Sequence, residues 1–272
     1  MIEAGIAAFF GLLIGSFLNV CIYRLPRDLS VMSPARSFCP GCEKTVAWYD
    51  NIPVLSFFLL GRRCRNCGGV IPWLYPAVEA ITSILFFWSV YSRGPNLLGV
   101  KLCILSAIMV TLFFTDLQDR ILPDEFTVGG FLIALGLAPL TPAPSQLASL
   151  FAPYWPPWAQ SLLEVAIGGL IPAGLFWLVA EVYLRLRQRE GLGLGDVKMM
   201  LVIGGFLGLP SALATIFLAA TAGSLIGLLF VWFTKKDLSS YQLPFGSFLA
   251  VAALFVGLFS EHLFSVYWKV VE

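Results

Sequence analysis

The sequence predicts an all-α polytopic membrane protein with about eight transmembrane helices and a small cytoplasmic domain inserted after the first helix. The first observation is composition: 58% of the 272 residues are hydrophobic and only 12% are charged, whereas soluble domains carry roughly 25% charged residues. So little polar surface cannot coat a water-soluble globule, and the bilayer must therefore be the solvent for most of the chain. The second observation is that the polar residues are concentrated in a few segments.

Eight apolar segments are candidates for crossing the bilayer as helices. A span needs about 20 apolar residues, with a range of roughly 17 to 25. The sixth segment is the shortest, and glycines and Pro210 interrupt its boundary with the seventh. The first span lies within a predicted first domain, residues 1–23. The eight predicted spans are residues 4–22, 74–92, 96–116, 124–141, 159–184, 197–209, 211–234 and 244–268.

The charges in the loops predict the orientation of these spans. If the loop after the first span is cytoplasmic, 14 of the 17 Lys and Arg residues lie inside, and only Arg93, Lys101 and Lys269 lie outside. Such an excess agrees with the positive-inside rule. The uncharged segment 142–158 is rich in Pro, Trp and Tyr, so we expect it to form an outer loop in the aromatic interface belt.

Residues 24–73 form the one sizeable polar region, and they are predicted to fold as a cytoplasmic zinc-binding domain. They contain Cys39-Pro-Gly-Cys42 and Cys64-Arg-Asn-Cys67, two pairs separated by 21 residues. This spacing is typical of a four-cysteine zinc site, in which four thiolates leave no open coordination position. We therefore expect one structural zinc ion per chain. Its binding contributes on the order of 10 kcal/mol of apparent free energy, which so small a region could use to fold.

The alternative for the four cysteines is a pair of disulfides or a redox function. Disulfides need an oxidising compartment, whereas the charge distribution places this region in the reducing cytoplasm. Cys21 and Cys103 lie within predicted spans, and we interpret them as small apolar packing residues.

Two aspartates at the ends of predicted spans are the candidate catalytic residues. Asp116 follows the apolar third span, and Asp196 follows the fifth span in the string Gly191-Leu-Gly193-Leu-Gly195-Asp196-Val-Lys198. The predicted topology puts both on the cytoplasmic side. Two carboxyl groups brought together can share one proton, so that one activates a water as general base and the other polarises a scissile carbonyl. The pattern therefore favours aspartyl proteolysis at the cytoplasmic face.

The residues around Asp196 fit a supporting active-site loop of Gly193, Gly195 and Lys198. A residue without Cβ permits a close approach of an extended substrate backbone. The same glycines superficially resemble a dinucleotide-binding fingerprint, but no strand precedes them.

The alternative for the acids is that they are ordinary helix-end charges paired with Arg120 and Lys198. We favour this for Asp119, Asp124 and Glu125, and it stays open for Asp116 and Asp196. Three further acids lie in or near predicted spans. For them a role in helix pairing or in a polar cavity is as consistent with the sequence as a direct role in catalysis. They are Glu79, Glu164 and Glu181.

Several function classes are excluded by residues that the sequence lacks. The one histidine, His262, lies near the outer end of the last predicted span, so a Ser-His-Asp or Cys-His arrangement at the cytoplasmic face is excluded in this topology. An H-E-x-x-H zinc protease is excluded as well. The net charge of +1 gives no reason to expect nucleic acid as a partner.

Taken together, these motifs resemble the prepilin peptidases, or type IV leader peptidases, a family of G-x-G-D membrane aspartyl proteases that are also N-methyltransferases. The resemblance covers nearly the whole chain. The motifs that carry it are Gly15-Ser-Phe-Leu-Asn19-Val-Cys-Ile-Tyr-Arg24-Leu-Pro26, Cys39-Pro-Gly-Cys42, Trp48-Tyr-Asp-Asn51-Ile-Pro53-Val-Leu-Ser56, Cys64-x-x-Cys67, Tyr75-Pro76-x-x-Glu79, Asp116 to Asp124, and Gly193-x-Gly195-Asp196-x-Lys198.

The resemblance implies a bifunctional enzyme of the bacterial inner membrane. Family members cut the basic leader from type IV prepilins and pseudopilins after a glycine, and then methylate the new N-terminal amine with S-adenosylmethionine. The family's catalytic pair corresponds to Asp116 and Asp196 in residues 74–272, the membrane protease domain. The four cysteines correspond to the family's zinc-bound cytoplasmic domain, which is linked to methylation. For the methyl donor, the stretches Gly15–Pro26 and Asp50–Ser56 are candidates only.

Two other functions stay open on the residues alone. A related G-x-G-D protease without methyl transfer, such as a preflagellin peptidase, resembles the membrane part but lacks the cysteine-containing loop. A membrane scaffold or transporter with a zinc-ribbon docking domain would not need Asp116 or Asp196.

Overall fold

A computed structural model describes residues 1–141, 147–188, 192–234 and 244–271; for Phe230, Val231, Thr234 and 260–271 it describes the backbone alone. In these ranges the regular secondary structure is helical, with two isolated β-bridges and no strand, which confirms the all-α class. The helices are α1 Ile2–Arg24, α2 Leu55–Leu59, α3 Leu74–Arg93, α4 Leu97–Asp119, α5 Asp124–Leu137, α6 Ala148–Phe151, α7 Pro157–Arg187, α8 Leu194–Leu207, α9 Leu209–Thr234 and α10 Phe245–Val271.

Five of these helices are long and apolar enough to cross a membrane: α1, α3, α4, α7 and α9. The chain is therefore a multi-pass membrane protein, but the predicted count of eight spans is not confirmed. Two of the predicted spans correspond to α5 and α8, which have only 14 residues each. At about 1.5 Å per residue, each is roughly 21 Å long, so length alone does not identify either helix as a span. In α10 the apolar stretch with described side chains is Phe245–Phe259.

Helix starts follow local chain chemistry. Proline or glycine stands immediately before α5, α7, α8 and α10, and α7 also has Pro157 as its first residue, where a missing amide costs no helical hydrogen bond. Asp124 and Glu125 occupy the first turn of α5, where negative charge interacts favourably with the helix dipole.

The uncertain boundary between the sixth and seventh predicted spans lies at Gly208. Helix α8 ends at Leu207, Gly208 has a φ of +79°, and α9 begins at Leu209. This left-handed conformation is accessible to glycine at little cost, and it breaks the helix one residue after α8.

The chain divides into two compact units, residues 1–111 and 112–272. In the first unit, α1 packs antiparallel on α3 through glycines. A Cβ added to Gly11 would lie 2.7 Å from Cα of Ser83, and one added to Gly15 would lie 2.7 Å from Cα of Glu79. Small residues are favoured between membrane helices because they let the backbones approach closely enough for dispersion contacts.

The polar region of this unit is anchored at its start by Arg24. This side chain is 3% exposed, and its guanidinium donates to the backbone carbonyls of Ser30, Val31, Pro34 and Arg36 at 2.9–3.3 Å. One buried cation thus satisfies four carbonyls and shapes the segment that leads to the first cysteine pair.

In the second unit, α7 and α8 make a similarly close contact. A Cβ on Gly204 would overlap the Gly168 carbonyl, and one on Gly168 would lie 2.5 Å from the Gly204 carbonyl oxygen. On the next residues, Gly169 and Gly205 leave room for the ring of Phe131 from α5. These contacts hold α5, α7 and α8 together and so fix where α8 begins.

The replacement Gly204→Ala should destabilise the protein, because its methyl group would collide with the α7 backbone; overpacking typically costs about 1–3 kcal/mol. Gly174→Ala on α7 is the matched control, since a Cβ there meets nothing within 4 Å and alanine favours a helix by about 1 kcal/mol. Thermal unfolding in detergent should show a lower midpoint for Gly204→Ala only. Equal midpoints for the two variants would contradict the close α7–α8 contact.

Candidate active site and metal centre

Asp116 lies in the last turns of α4 and is almost completely buried, with 6% exposure. The helix ends just after it, at Asp119, because Arg120 has a left-handed φ of 55° and donates its amide to the Asp116 carbonyl at 3.1 Å. Pro123 then leads into α5. The carboxyl group is therefore held at a helix end, next to a tight turn.

The hydrogen-bond partner of Asp116 comes from the first turn of α10. The Ser247 amide donates to Oδ2 of Asp116 at 2.6 Å, and the Ser247 hydroxyl lies 2.8 Å from the same oxygen. First-turn amides have no acceptor within their own helix, and the positive end of the helix dipole favours an anion there. The Asp116 carboxylate thus caps α10 from a different helix.

Asp196 lies in the first turn of α8, before its apolar part and outside the five helices long enough to cross a membrane. Its amide donates to the Gly193 carbonyl at 3.1 Å. Burial, followed by the negative charge of Asp116, raises the pKa of Asp196 to about 7, against the opposite effect of a hydrogen bond with the Gly193 backbone. Because the charge of Asp116 acts on it, the two carboxyl groups belong to one electrostatic unit.

Leu122, in the turn between α4 and α5, fills the space beside this pair. A Cβ on Gly195 would lie 3.0 Å from Cδ1 of Leu122, and one on Gly246 would lie 3.2 Å from the same atom and 3.1 Å from Cγ of Asp116. Gly195 therefore has a packing role against Leu122, in addition to any role toward a substrate. Gly246 lets the start of α10 reach the carboxylate.

Lys198 joins α8 to the start of α5. Its ammonium group donates to both carboxylate oxygens of Asp124, at 2.7 and 2.9 Å, so the pairing with Lys198 that we expected for helix-end acids is found at Asp124. Both side chains are exposed, with 40% and 62% accessibility, and such pairs contribute about 0–1 kcal/mol. Lys198 thus links two helix starts through an exposed ion pair.

The three acids of undecided role make local contacts. In each the carboxylate accepts from a nearby backbone amide or pairs with a neighbouring arginine, as in a structural helix contact. The pairs are Glu79 with the Val54 amide at 2.7 Å, Glu164 with the Ala148 amide at 3.0 Å, and Glu181 with Arg185 at 2.7 Å. His262 lies outside the residues whose side chains are described.

The four cysteines of the polar region form one cluster. Their sulfur atoms all lie within 4.8 Å of one another, and no disulfide joins them. The Sγ atoms of Cys39 and Cys67, one from each pair, are 3.8 Å apart. Four thiolates around a tetrahedral zinc at ~2.3 Å would have sulfurs separated by about 3.8 Å, so the donors fit that metal.

Each cysteine pair lies in a tight turn closed by backbone bonds. The Cys39 amide donates to the Lys44 carbonyl at 3.0 Å, and the Cys64 amide donates to the Gly69 carbonyl at 2.8 Å. Gly68 has a φ of +69°, a conformation that glycine adopts readily. The two turns are alike, and each presents two thiols to the same point.

The thiols of the cluster influence one another. Backbone amides of Cys67 and Asn66 lower the pKa of Cys64 to about 7. At Cys67 a backbone bond from Gly69 also acts to lower the pKa, but hydrogen bonds with neighbouring thiols, first that of Cys42, accompany a net rise to about 11. All four thiols could ionise together only with a cation among them.

Ser247, Gly246 and Leu122 were not among the residues predicted for the site. The string Pro244-Phe-Gly-Ser247 before an apolar run is a recognisable helix start. Nothing in that local pattern indicates that its free amides meet Asp116, which is 131 residues away.

Comparisons with known proteins find similarity along most of the chain. Residues 9–93 match the family model of the bacterial peptidase A24 N-terminal domain, and residues 103–228 match that of the type IV leader peptidase family. No solved structure is significantly similar to the chain.

Several curated relatives carry the name prepilin leader peptidase/N-methyltransferase. One from Xanthomonas campestris is 30% identical over 97% of this chain and 93% of its own length. One from Klebsiella pneumoniae is 35% identical over 78% of this chain and 88% of its own length. One from Myxococcus xanthus is 37% identical over 83% of this chain, which spans only 62% of that relative.

Replacing Asp116 with Asn should lower the pKa of Asp196 below about 7, because the charge of Asp116 is one of the two causes that raise it. Infrared titration of isotope-labelled aspartate carboxyl groups in detergent would measure this value. Asp124→Asn, which affects the surface pair with Lys198, is the control and should leave it unchanged. An Asp196 pKa that is the same in Asp116→Asn and wild type would show that the two carboxyl groups do not interact.

Proposed function

The chain belongs to the type IV leader peptidase family, and from this we propose that it is a prepilin leader peptidase and N-methyltransferase. It removes the basic leader of type IV prepilins and pseudopilins after a glycine and then methylates the new N-terminal amine with S-adenosylmethionine. The observation that carries the proposal is that Leu122 packs against Gly195, the neighbour of Asp196, and against Gly246, where a Cβ would lie 3.1 Å from Cγ of Asp116. The helix ends that carry the two aspartates thus meet around one side chain.

Asp116 and Asp196 are the catalytic residues in this proposal. A peptide bond hydrolysed by two carboxyl groups needs one of them ionised and the other protonated. Burial and mutual repulsion favour a pair that holds one proton, and Asp196 with a pKa of about 7 fits such a pair. Gly193, Gly195 and Lys198 support the loop that presents Asp196.

The substrate is a single apolar helix with a basic leader, which lies in the membrane beside the enzyme. The five apolar helices provide the lipid-embedded surface along which such a helix could approach. We place the enzyme in the bacterial inner membrane, with the zinc domain and the active site on the cytoplasmic side. The excess of Lys and Arg in the loops of that side supports this orientation.

Residues 24–73 act as a zinc-binding domain between the first transmembrane helix, 1–23, and the protease domain, 74–272. Cys39, Cys42, Cys64 and Cys67 would hold the ion, and four thiolates would complete its coordination, so its role is structural. Bound zinc would supply a fixed point for a region whose two turns have few buried side chains of their own.

Methyl transfer needs a deprotonated amine and a bound sulfonium donor, and we place the donor near the stretches Gly15–Pro26 and Asp50–Ser56. Both stretches are tied to α3, since the Asn19 amide group donates to the Tyr75 carbonyl at 3.0 Å and Val54 donates to Glu79. A common support on α3 would keep the two stretches in a fixed relation.

Mass spectrometry of a prepilin incubated with the purified enzyme and S-adenosylmethionine tests both activities. Wild type should release the leader and add one methyl group to the remaining chain. Asp116→Asn and Asp196→Asn should each lower the cleavage rate by about 10³-fold or more, because each removes an ionisable group from the reacting pair. Asp119→Asn, three residues further along α4, is the matched control and should cleave normally.

Each other function would give a different result in this experiment. Full cleavage by either single variant would exclude the catalytic pair, as a scaffold or transporter predicts. Cleavage without an added methyl group would indicate a leader peptidase alone.

The zinc ion can be tested by metal analysis of the detergent-purified protein. Wild type should contain about one zinc per chain, and Cys39→Ser or Cys64→Ser should contain less, because each loses one of four thiolate ligands. Cys103→Ala, within α4 and away from the cluster, is the control and should keep its zinc. A metal-free wild type with two disulfides, purified from a reducing cytoplasm, would contradict the site.

A further inference from the structure

The carboxylate of Asp116 is bonded asymmetrically. Both hydrogen bonds that the structure describes at this group end on one oxygen, Oδ2, at 2.6 Å from the Ser247 amide and 2.8 Å from its hydroxyl. An oxygen that accepts from an amide, which can only donate, is a poor position for a proton. The Ser247 hydroxyl also lies 3.3 Å from the Phe113 carbonyl, but its contact with the carboxylate is shorter and involves a charged acceptor.

The backbone of α10 is built for this contact. Ser247 is the third residue of the helix, so its amide has no helical acceptor. Gly246 precedes it, and a Cβ there would stand 3.1 Å from both Cγ and Oδ2 of Asp116. A glycine at this position thus lets the first turn approach the carboxylate closely.

Three charged or polar elements face Asp116. Arg120 lies directly after the end of α4 and acts on Asp116 through its charge, Asp196 faces it from α8, and Ser247 faces it from α10. Ser247 supplies both hydrogen-bond donors that the structure describes at this carboxyl group. Asp196 has a different environment: it is half-buried, it faces the negative charge of Asp116, and its described backbone contact is with Gly193.

We propose that Ser247 is a positioning residue for proteolysis: by donating twice to Oδ2 it keeps Asp116 ionised and leaves Oδ1 to take the proton of the attacking water, while Asp196 carries the shared proton. The inference rests on the proposed function and deepens it. It gives the two aspartates different roles, Asp116 as general base and Asp196 as general acid.

Hydrolysis of the peptide bond then follows in two steps. The water oxygen bonds to the scissile carbonyl carbon, its proton passes to Oδ1 of Asp116, and the proton of Asp196 passes to the carbonyl oxygen, which gives a gem-diol. The C–N bond then breaks, as the nitrogen takes the proton from Asp116 and one diol hydroxyl returns a proton to Asp196. The products are an acid and an amine, and both aspartates regain their starting states.

The test is the pH dependence of prepilin cleavage by variants of the full-length enzyme. Ser247→Ala removes the hydroxyl donor, and Ser247→Pro removes the amide donor as well, at a first-turn position where proline is compatible with a helix. Kcat should fall by about 10-fold or more in Ser247→Ala and further in Ser247→Pro, with little change in KM. The acidic limb of the profile should move to higher pH by about one unit, and the alkaline limb should stay in place.

Two controls separate positioning from a general effect on folding. Ser247→Thr keeps both donors and should restore the wild-type acidic limb. Ser161→Ala removes a hydroxyl that bonds to a carbonyl of its own helix, α7, and should leave the profile unchanged. Thermal unfolding of each variant in detergent checks that the protein is folded. If Ser247→Pro does not fold, the pH profile of Ser247→Ala alone tests the role of Ser247.

An acidic limb that is unchanged in Ser247→Ala, or a shift that Ser247→Thr does not reverse, would overturn the proposal. A shift of the alkaline limb instead would assign the acid role to Asp116 and would equally overturn it. Wild-type enzyme that cleaves no prepilin at any pH would contradict the proposed function itself, an outcome visible before any variant is measured.

Discussion

A carboxylate removed from water must find donors within the protein, and the arrangement of helix ends in residues 112–272 follows from that requirement at Asp116. Leaving such a charge buried without partners costs several kcal/mol. The first turn of α10 has amides that lack acceptors, and it meets Asp116 through Ser247. The free amide at the start of α10 thus gains an acceptor, and the buried carboxylate gains a donor. The start of α10, the end of α4 and the turn containing Leu122 are brought together by this contact, and α8 adds Asp196 beside it.

Glycines provide the rigid frame on which the helix ends rest. In lipid, burying an apolar side chain between helices gains little free energy, because lipid tails are equally apolar. Close backbone contact between helices therefore contributes much of their association. Gly168 and Gly204 bring α7 and α8 into such contact, and Gly11 and Gly15 do the same for α1 and α3. A first-turn residue such as Asp196 is then held by the packing of its whole helix. This suits chemistry in which a small displacement of a reacting group lowers the rate strongly.

The polar region 24–73 is organised by different means. It has few buried side chains, and its described order comes from Arg24, which binds four carbonyls, and from two similar turns that carry the cysteines. The hydrogen bonds that close the two turns are local, so they contribute little to folding on their own. Convergence of four sulfurs within 4.8 Å joins the two turns, and it explains why so small a region would depend on a metal.

The sequence by itself determined the membrane class, the main apolar helices, the cysteine cluster and the two candidate aspartates, because each depends on composition or on spacing over a short stretch. The tertiary structure decided the rest. Helices α5 and α8 are only 14 residues long, so their length does not confirm the two spans that apolar composition predicted there. The boundary after α8 depends on the backbone conformation of Gly208. Ser247 reaches Asp116 across 131 residues, and a contact between such distant residues leaves no periodic or local pattern from which it could be predicted.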